Sequence, residues 1–416
     1  MKRSRATVAG QAWLAGALLS LLAAGVSAAG PAKLASYDRT LWPESLDSPQ
    51  RFDRASRQEI LALVRIIERT PLADAAAIQT FTGVKTPNAE GVARWLEETR
   101  RRLLANYRAA SRGCDGAAAY PPAADWPALA LLAGRAAEDT AIQTWRQAAE
   151  GFHTTYLYEQ VRLAALFPRI TSEIARLDDS ELTGFELPDR QFVLSFDDGP
   201  SGNDETERLL HWLRERGTGA FFFVLGENLE RRLGKESAAA LGERYQGQCL
   251  ASHGYSHVPH QKLAGWQDSL EKTARLIARV QPAGPAGGAW FRPPYGQRNA
   301  EQIAYLKARD GRVVLWNIDS QDWNAKLQPA AMQDRLITLM LLWRRGILLF
   351  HDIHPKARTA LPGIGAFMEK SGLSMVGCGE VQARTEHLTK AMPSLANHID
   401  ETRVSKLRTQ VEAMPR

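Results

Sequence analysis

Residues 191–200 read QFVLSFDDGP, an apolar run that ends in two aspartates, a glycine and a proline. Phe192, Val193 and Leu194 stand in a row, which predicts a buried strand, and the polar ending is a turn signal. Two adjacent carboxylates after a buried strand are costly unless something uses their charge, as a metal ion would. The alternative is an acidic turn, because Asp-Gly is a common turn pair.

Strand-like apolar runs recur downstream, with helical stretches between them, at 220–225, 312–318 and 347–350. Strands that alternate with helices predict parallel strands joined by helical crossovers. The length of this region suits either a barrel or an open, doubly wound sheet.

The part of the chain before this region reads as helical. Ser56 and Glu59 fit a capping box, and Ile60 and Leu63 continue at helix spacing. We therefore expect four segments, which are a signal peptide at 1–28, a helical accessory domain at 29–188, an α/β domain at 189–381 and a polar tail at 382–416.

The N-terminus has the three-part layout of a secretory signal peptide. Lys2, Arg3 and Arg5 precede an apolar run over about 12–26, and small residues lead up to a cleavage site near Ala28. An uncleaved membrane anchor is the alternative, but the run is about 15 residues long and a spanning helix needs roughly 20. We expect export without a stable membrane anchor, to the periplasm rather than the medium.

The composition, 44% hydrophobic and 24% charged, is that of a globular protein. The net charge of +6 includes the three N-terminal basic residues, and no basic stripe with interleaved aromatics occurs, so no nucleic-acid partner is expected. The chain has three cysteines, which are Cys114, Cys249 and Cys378. They permit one disulfide and leave one free thiol, and the sequence leaves all three pairings open.

Reactive side chains also follow the later strand-like runs, in the segments HGYSH at 253–257, FRPPYG at 291–296, WNIDSQDW at 316–323 and LFHD at 349–352. In an α/β barrel the active site lies at this end of the strands, because the βα loops converge there. An H-x-x-x-H pair can bind one metal, tryptophan beside carboxylates suits a sugar, and a strand-ending histidine can be a general acid. Alone, each has an ordinary structural explanation, such as a proline turn or a core residue. We interpret His260, near the second segment, as a bystander.

Together and in this order, the five clusters resemble the NodB-homology polysaccharide deacetylases, carbohydrate esterase family 4. The resemblance spans about 190–380 and includes GAFFFVLGEN at 219–228. It implies a distorted (β/α) barrel, which here follows an all-helical N-terminal domain. It also implies a hydrolase of carbon–nitrogen bonds other than peptide bonds, with an N-acetylated, N-acetylglucosamine-type polysaccharide as substrate.

The resemblance implies that Asp198, His253 and His257 bind one divalent metal ion, expected to be Zn²⁺. Three protein ligands leave a position for water, whose pKa the metal would lower towards about 7. Asp197 would be the general base, held in place by Arg292.

The remaining roles implied by the resemblance concern the leaving group and the acetyl pocket. His351 would protonate the leaving amine, and the backbone N–H of Tyr295 would stabilise the tetrahedral oxyanion. Leu349 and Trp323 would shape the small pocket for the acetyl methyl group.

One position departs from the family pattern. The family often has an acidic residue after the first tryptophan of the fourth cluster, where it tunes the catalytic histidine, but here that residue is Asn317. Asp319 would face the same side of a strand, because side chains repeat every two residues. We expect either that Asp319 tunes His351 or that His351 is less basic than usual.

Two other functions stay open. One is a catalytically inactive protein of the same fold that serves as a carbohydrate-binding or export-assisting module. The intact set of aspartates and histidines argues against this function. The other keeps metal-dependent hydrolysis but acts on O-acetyl esters, as on xylan, or on a small non-sugar amide.

Overall fold

The computed structural model describes residues 33–112, 121–282 and 289–391. The expected signal peptide, Cys114 and most of the expected polar tail lie outside these residues. Across the described residues, no helix combines the length and the apolar character that crossing a membrane would require.

Five α-helices account for most of the described residues before the sheet, and they are α1 (Pro49–Arg69), α2 (Ala75–Thr82), α3 (Ala89–Ala110), α4 (Trp126–Ala136) and α5 (Gln143–Leu166). Helix α1 begins earlier than the capping-box prediction, which is wrong. Its N-cap is Ser48, whose side chain accepts a hydrogen bond from the N–H of Arg51, and Pro49 takes the first helical position. Ser56 lies inside the helix and donates to the carbonyl of Leu341 at 2.7 Å.

The sheet is parallel, in the order β5-β4-β3-β2-β1-β7-β6 with β8 beside β1. Its strands are β1 (Gln191–Asp197), β2 (Phe221–Val224), β3 (Cys249–Ser252), β4 (Trp290–Phe291), β5 (Arg312–Val313), β6 (Ile318–Asp319), β7 (Gly346–His351) and β8 (Ser374–Met375). The other helices are α6 (Glu205–Glu215), α7 (Gly226–Leu233), α8 (Ala238–Arg244), α9 (Trp266–Val280), α10 (Ala300–Lys307), α11 (Pro329–Trp343), α12 (Pro355–Lys370) and α13 (Cys378–Ala391). The prediction of a distorted (β/α) barrel is confirmed.

Strand β1 separates two apolar layers. Phe192, Leu194 and Phe196 belong to the larger core, which also contains the helices, whereas Val193 belongs to a smaller inner core. Because side chains alternate along a strand, Asp197 lies on the same inner face as Val193. The sequence of this strand therefore directs one carboxylate into the barrel interior.

Residues 171–187, which precede the first strand, run along the edge of β5. Leu182 pairs in parallel with Val314, and its N–H donates to the carbonyl of Val313 at 3.0 Å. Farther along, a Cβ on Gly184 would lie 2.5 Å from the Oδ1 of Asn317. This segment is therefore part of the barrel wall.

The helices and the sheet share one packing unit, because all described residues fall into a single compact unit. Phe52 of α1 is fully buried, and its ring centroid lies 6.3 Å from that of Phe367 in α12. The buried guanidinium of Arg344 donates to Asp53 of α1 at 2.9 Å and to Asp189 at 2.8 Å. The chain has the expected helices, but the predicted boundary near residue 188 does not separate two packing units.

A disulfide joins Cys249, at the start of β3, to Cys378, at the start of α13. The structure thereby selects one of the three pairings that the sequence left open. Helix α13 also contains residue 382, where the expected tail begins.

We expect Phe52→Ala to lower the free energy of unfolding by about 3–5 kcal/mol, because it leaves a cavity between α1 and α12. Circular dichroism and tryptophan fluorescence should report the same single unfolding transition, and Phe52→Ala should shift it towards lower stability. The control is Leu131→Ala, at a side chain that is 59% exposed, where the expected change is within about 0.5 kcal/mol. Two separate transitions, of which Phe52→Ala shifts only one, would contradict a shared core.

Candidate functional site

The carboxyl ends of β1 and β7 bring Asp197 and His351 side by side. The two residues are register partners, and neighbouring strands lie about 4.8 Å apart. The chain leaves β1 at Asp198, whose φ of 76° is unusual for a residue with a side chain. The N–H of Asp198 donates to the carbonyl of Phe223 at 3.2 Å, and its carbonyl accepts from the side chain of Asn228 at 2.7 Å.

Asp198, His253 and His257 form a group whose ligand atoms all lie within 4.8 Å of one another. The Oδ1 of Asp198 is 3.5 Å from the Nε2 of His253 and 3.6 Å from the Nε2 of His257. Tetrahedral coordination with bonds of about 2.0–2.1 Å separates ligand atoms by roughly 3.3–3.5 Å. This Oδ1 is buried without a hydrogen-bond partner, which is costly unless a cation binds it. The residues fit a zinc-sized ion.

The orientation of His253 suits a metal ligand. Its Nδ1 lies 2.7 Å from the carbonyl oxygen of Arg292, and a carbonyl only accepts, so Nδ1 carries the proton and Nε2 offers a lone pair. Burial, together with nearby His257, lowers the pKa of His253 well below its ordinary value. The imidazole is therefore neutral at neutral pH, as metal binding requires.

His260 braces the loop that carries both histidine ligands. Its ring is fully buried, with Nδ1 at 2.8 Å from the carbonyl of Val258 and Nε2 at 2.8 Å from the Oγ of Ser269. The same Oγ accepts from the N–H of Tyr255 at 2.8 Å. His260 lies outside the group of Asp198, His253 and His257, and its two ring nitrogens have structural partners that no sequence pattern indicated.

Asp197 is held by a buried arginine. The Nη1 of Arg292 donates to the Oδ1 of Asp197 at 2.8 Å and to the Oγ of Ser195 at 2.9 Å. The second oxygen, Oδ2, lies 3.8 Å from the Nε2 of His253 and faces the ligand group. Burial raises the pKa of Asp197 to about 6, although Arg292 opposes the shift. Such a carboxylate is ionised at neutral pH yet basic enough to accept a proton.

His351 is paired with Asp322. Its Nδ1 lies 2.7 Å from the Oδ1 of Asp322, and its backbone N–H donates to the Oδ2 at 2.8 Å. Burial by itself would lower the pKa of His351, but Asp322, with Asp198 and Asp197, raises it to about 10. The histidine is therefore protonated at neutral pH, as a general acid must be.

Asp319 interacts with His351 through charge alone, because the hydrogen-bond partner of His351 is Asp322. The carboxylate of Asp319 accepts instead from the backbone N–H of Gln321 at 2.8 Å and from its Nε2 at 2.6 Å. Strand β6 ends at Asp319, and Gln321 has a φ of 59°, so the two-residue alternation stops there. Asp322 lies in the same sequence cluster, and its pairing with His351 was not predicted from the sequence.

Asn317 lies at the opposite end of β7. Its Oδ1 accepts from the N–H of Ile347 at 3.0 Å, and its Nδ2 donates to the carbonyl of Arg345 at 3.0 Å. The strand from Ile347 to His351 spans roughly 13 Å. The departure at Asn317 therefore does not affect His351, whose basicity is raised rather than reduced.

The remaining predicted residues are Leu349, Tyr295 and Trp323. Leu349 is buried and is the register partner of Ser195 and Asp319. Tyr295 is 39% exposed and Trp323 is 40% exposed, and the ring of Tyr295 lies 4.5 Å from that of His257, centroid to centroid. Exposed aromatic rings beside a carboxylate and histidine cluster offer apolar faces to a ligand.

Comparison with known proteins gives a family match over residues 186–314, to a family described as polysaccharide deacetylase. The match includes the first three sequence clusters and ends before the last two. The chain is 30% identical over 186 residues to a bifunctional xylanase/xylan deacetylase of Cellvibrio japonicus, which covers 43% of this chain and 26% of that protein.

Two further relatives carry other substrate names. Identity is 29% over 137 residues to a peptidoglycan-N-acetylglucosamine deacetylase of Bacillus cereus, covering 32% of this chain and 46% of that protein. It is 28% over 164 residues to chitin deacetylase 2 of Saccharomyces cerevisiae, covering 38% and 49%. The matches thus span only 26% to 49% of the length of these three relatives.

We expect the chain to bind one Zn²⁺, and Asp198→Ala to weaken that binding. The loss of zinc affinity should exceed roughly 10–100-fold, which is the loss expected when a residue that only hydrogen-bonds to a metal ligand is removed. Isothermal titration would measure it, with Asp204→Ala as the control at an exposed aspartate of an i,i+4 ion pair. Equal zinc affinity in Asp198→Ala and the wild type would refute the site.

The pKa of His351 should depend on Asp322. In the metal-free protein, NMR should show His351 titrating near pH 10, and Asp322→Asn should lower this pKa by about 1–3 units. The pKa of His351 in the folded protein lies above the ordinary 6.5. The contribution of its pairing with Asp322 to the stability of the fold is therefore complete below pH 6.5 and is lost as the pH rises towards 10. A His351 that titrates near pH 6.5 in both proteins would contradict this assignment.

Proposed function

We propose that the chain is a metal-dependent hydrolase of acetamide groups on N-acetylated sugars, of the polysaccharide deacetylase family that its residues 186–314 match. One observation carries the proposal. A candidate base, a candidate acid and a metal-ligand group, which are Asp197, His351 and the Asp198–His253–His257 set, meet at one end of the sheet.

The proposed cofactor is Zn²⁺, held by Asp198, His253 and His257. The chemistry that such an ion supplies is polarisation of the acetyl carbonyl and a lower pKa for an attacking water. Support for this cofactor comes from the ligand spacing and from the unpartnered oxygen of Asp198.

Asp197 is proposed to accept the proton of the attacking water through Oδ2, because Arg292 already binds Oδ1. The tetrahedral oxyanion would be stabilised by the backbone N–H of Tyr295. Leu349 and Trp323 would enclose the acetyl methyl group, one as a buried wall and the other at the rim.

His351 is proposed to donate a proton from Nε2 to the leaving nitrogen, because Asp322 binds Nδ1. The carbon–nitrogen bond then breaks, and acetate and a free amino sugar are released. An amine leaves only when protonated, whereas an alcohol leaves an ester more readily. The O-acetyl esters of xylan are the second candidate substrate, because one relative is named a xylan deacetylase.

The proposed function is tested by acetate release from N-acetylglucosamine oligomers, peptidoglycan and acetylated xylan, with and without Zn²⁺. We expect zinc-dependent release, fastest from an N-acetylated glycan. Asp197→Asn and His351→Ala should each lower kcat by about 10²–10⁴-fold.

The control for these variants is His211→Ala, at a histidine that is 71% exposed on α6, which should retain full activity. Release from xylan alone would move the assignment to the ester substrate. No release from any glycan by folded, zinc-loaded protein would overturn the hydrolase.

A further inference from the structure

Arg298 is a buried cation with no part in the proposed chemistry. Its side chain is fully buried, two residues beyond the loop of Arg292 to Gly296. Nε and Nη2 both donate to the carboxylate of Glu181, the latter at 2.9 Å. Nη1 donates to the carbonyls of Ser172 at 2.6 Å and Gly296 at 3.0 Å.

Arg298 makes further contacts with the segment before the first strand. Nη2 also donates to the carbonyl of Ala175 at 2.8 Å, so all five guanidinium N–H donors are used. The backbone N–H of Arg298 donates to the Oγ1 of Thr171 at 2.8 Å, and that hydroxyl donates back to the carbonyl of Arg298 at 2.9 Å. Residues 171–181 are therefore fastened to this one arginine.

The bound loop has an unusual backbone. Tyr295 has a φ of 60° and Gly296 a φ of 66°, and consecutive left-handed residues persist only where the surroundings hold them. A Cβ on Gly296 would lie 3.0 Å from the nitrogen of Glu173 and 3.1 Å from the Cα of Ser172. The turn is thus pressed against residues 172–173 on one side and hydrogen-bonded to Arg298 on the other.

We propose that Arg298 and Glu181 are positioning residues for Tyr295. By holding the turn at 295–296, they aim the N–H of Tyr295 at the oxyanion of the reaction. The inference rests on the proposed function. Since the family match begins at residue 186, Glu181 lies outside the matched region, and the N-terminal part of the chain becomes a part of the active site.

A general structural role is the competing explanation, because any buried ion pair loses stability when one partner is removed. The two explanations differ in kinetics. A donor that acts on the oxyanion acts only in the transition state, so a misplaced donor lowers kcat and leaves KM unchanged. If the whole protein were loosened, KM would rise and zinc affinity would fall as well.

The test uses Arg298→Lys, which keeps the charge but not the five-donor fork, and the milder Glu181→Gln. We expect Arg298→Lys to lower kcat by about 10–100-fold, with KM and zinc affinity within about twofold of the wild type. Hydrogen exchange should accelerate in the peptide 292–298. Glu181→Gln should change both readouts in the same direction by a smaller amount.

The matched control is Arg344→Lys, the same change at another fully buried, carboxylate-paired arginine. Arg344 precedes β7 and lies at the other end of the strands, so its variant should lose stability without changing kcat or exchange at 292–298. The inference is overturned if Arg298→Lys leaves kcat unchanged. It is also overturned if the variant has a lower kcat together with a higher KM and a lower zinc affinity.

The exchange measurement separates this inference from the proposed function. Equal exchange at 292–298 in Arg298→Lys and the wild type overturns the positioning role, whether or not acetate is released. If the wild type releases no acetate, the proposed function is overturned. Faster exchange at 292–298 in Arg298→Lys would in that case still support the conclusion that Arg298 holds the turn at 295–296.

Discussion

The guanidinium of Arg292 places a positive charge in the fully buried interior of the sheet. An isolated charge there would cost several kcal/mol, so the surrounding chain must supply acceptors. They come from two parts of the barrel, which are the side chains of β1 and the carbonyls of Val314 and Leu315 after β5. The position of Asp197 follows from this requirement, because its carboxylate is the counter-charge.

The backbone of Arg292 constrains the site a second time. Its N–H donates to the carbonyl of Ser252 at 2.9 Å, and its carbonyl fixes the protonated nitrogen of His253. One residue therefore sets both the carboxylate that can act as a base and the lone pair that can bind a metal. With Asp322 on the other side of β1, the pKa of Asp197 stands at about 6 and that of His351 at about 10. Between these values one group is ionised and the other is protonated, which is the division of roles that hydrolysis needs.

The sequence predicts the part of the site that follows from strand order. Parallel strands end at one edge, so residues that follow buried runs, such as Asp198, His253 and His351, meet there. It fails where local periodicity ends. Asp319 was expected beside His351 because side chains alternate along a strand, although β6 has only two residues.

Contacts across long sequence separations leave no local pattern either. The pair of Arg298 and Glu181 spans 117 residues, and Ser56 contacts the carbonyl of Leu341 across 285 residues. The change from helices to strands near residue 188 was a change in secondary structure. It was not a change of packing unit, because α1 and the sheet share one core.

Anomalous diffraction at the zinc absorption edge, from crystals grown with Zn²⁺, tests the central claim most directly. We expect a single strong peak bonded to the Oδ1 of Asp198 and to the Nε2 atoms of His253 and His257. A peak held by other residues, or no peak among these three side chains in zinc-saturated crystals, would contradict it.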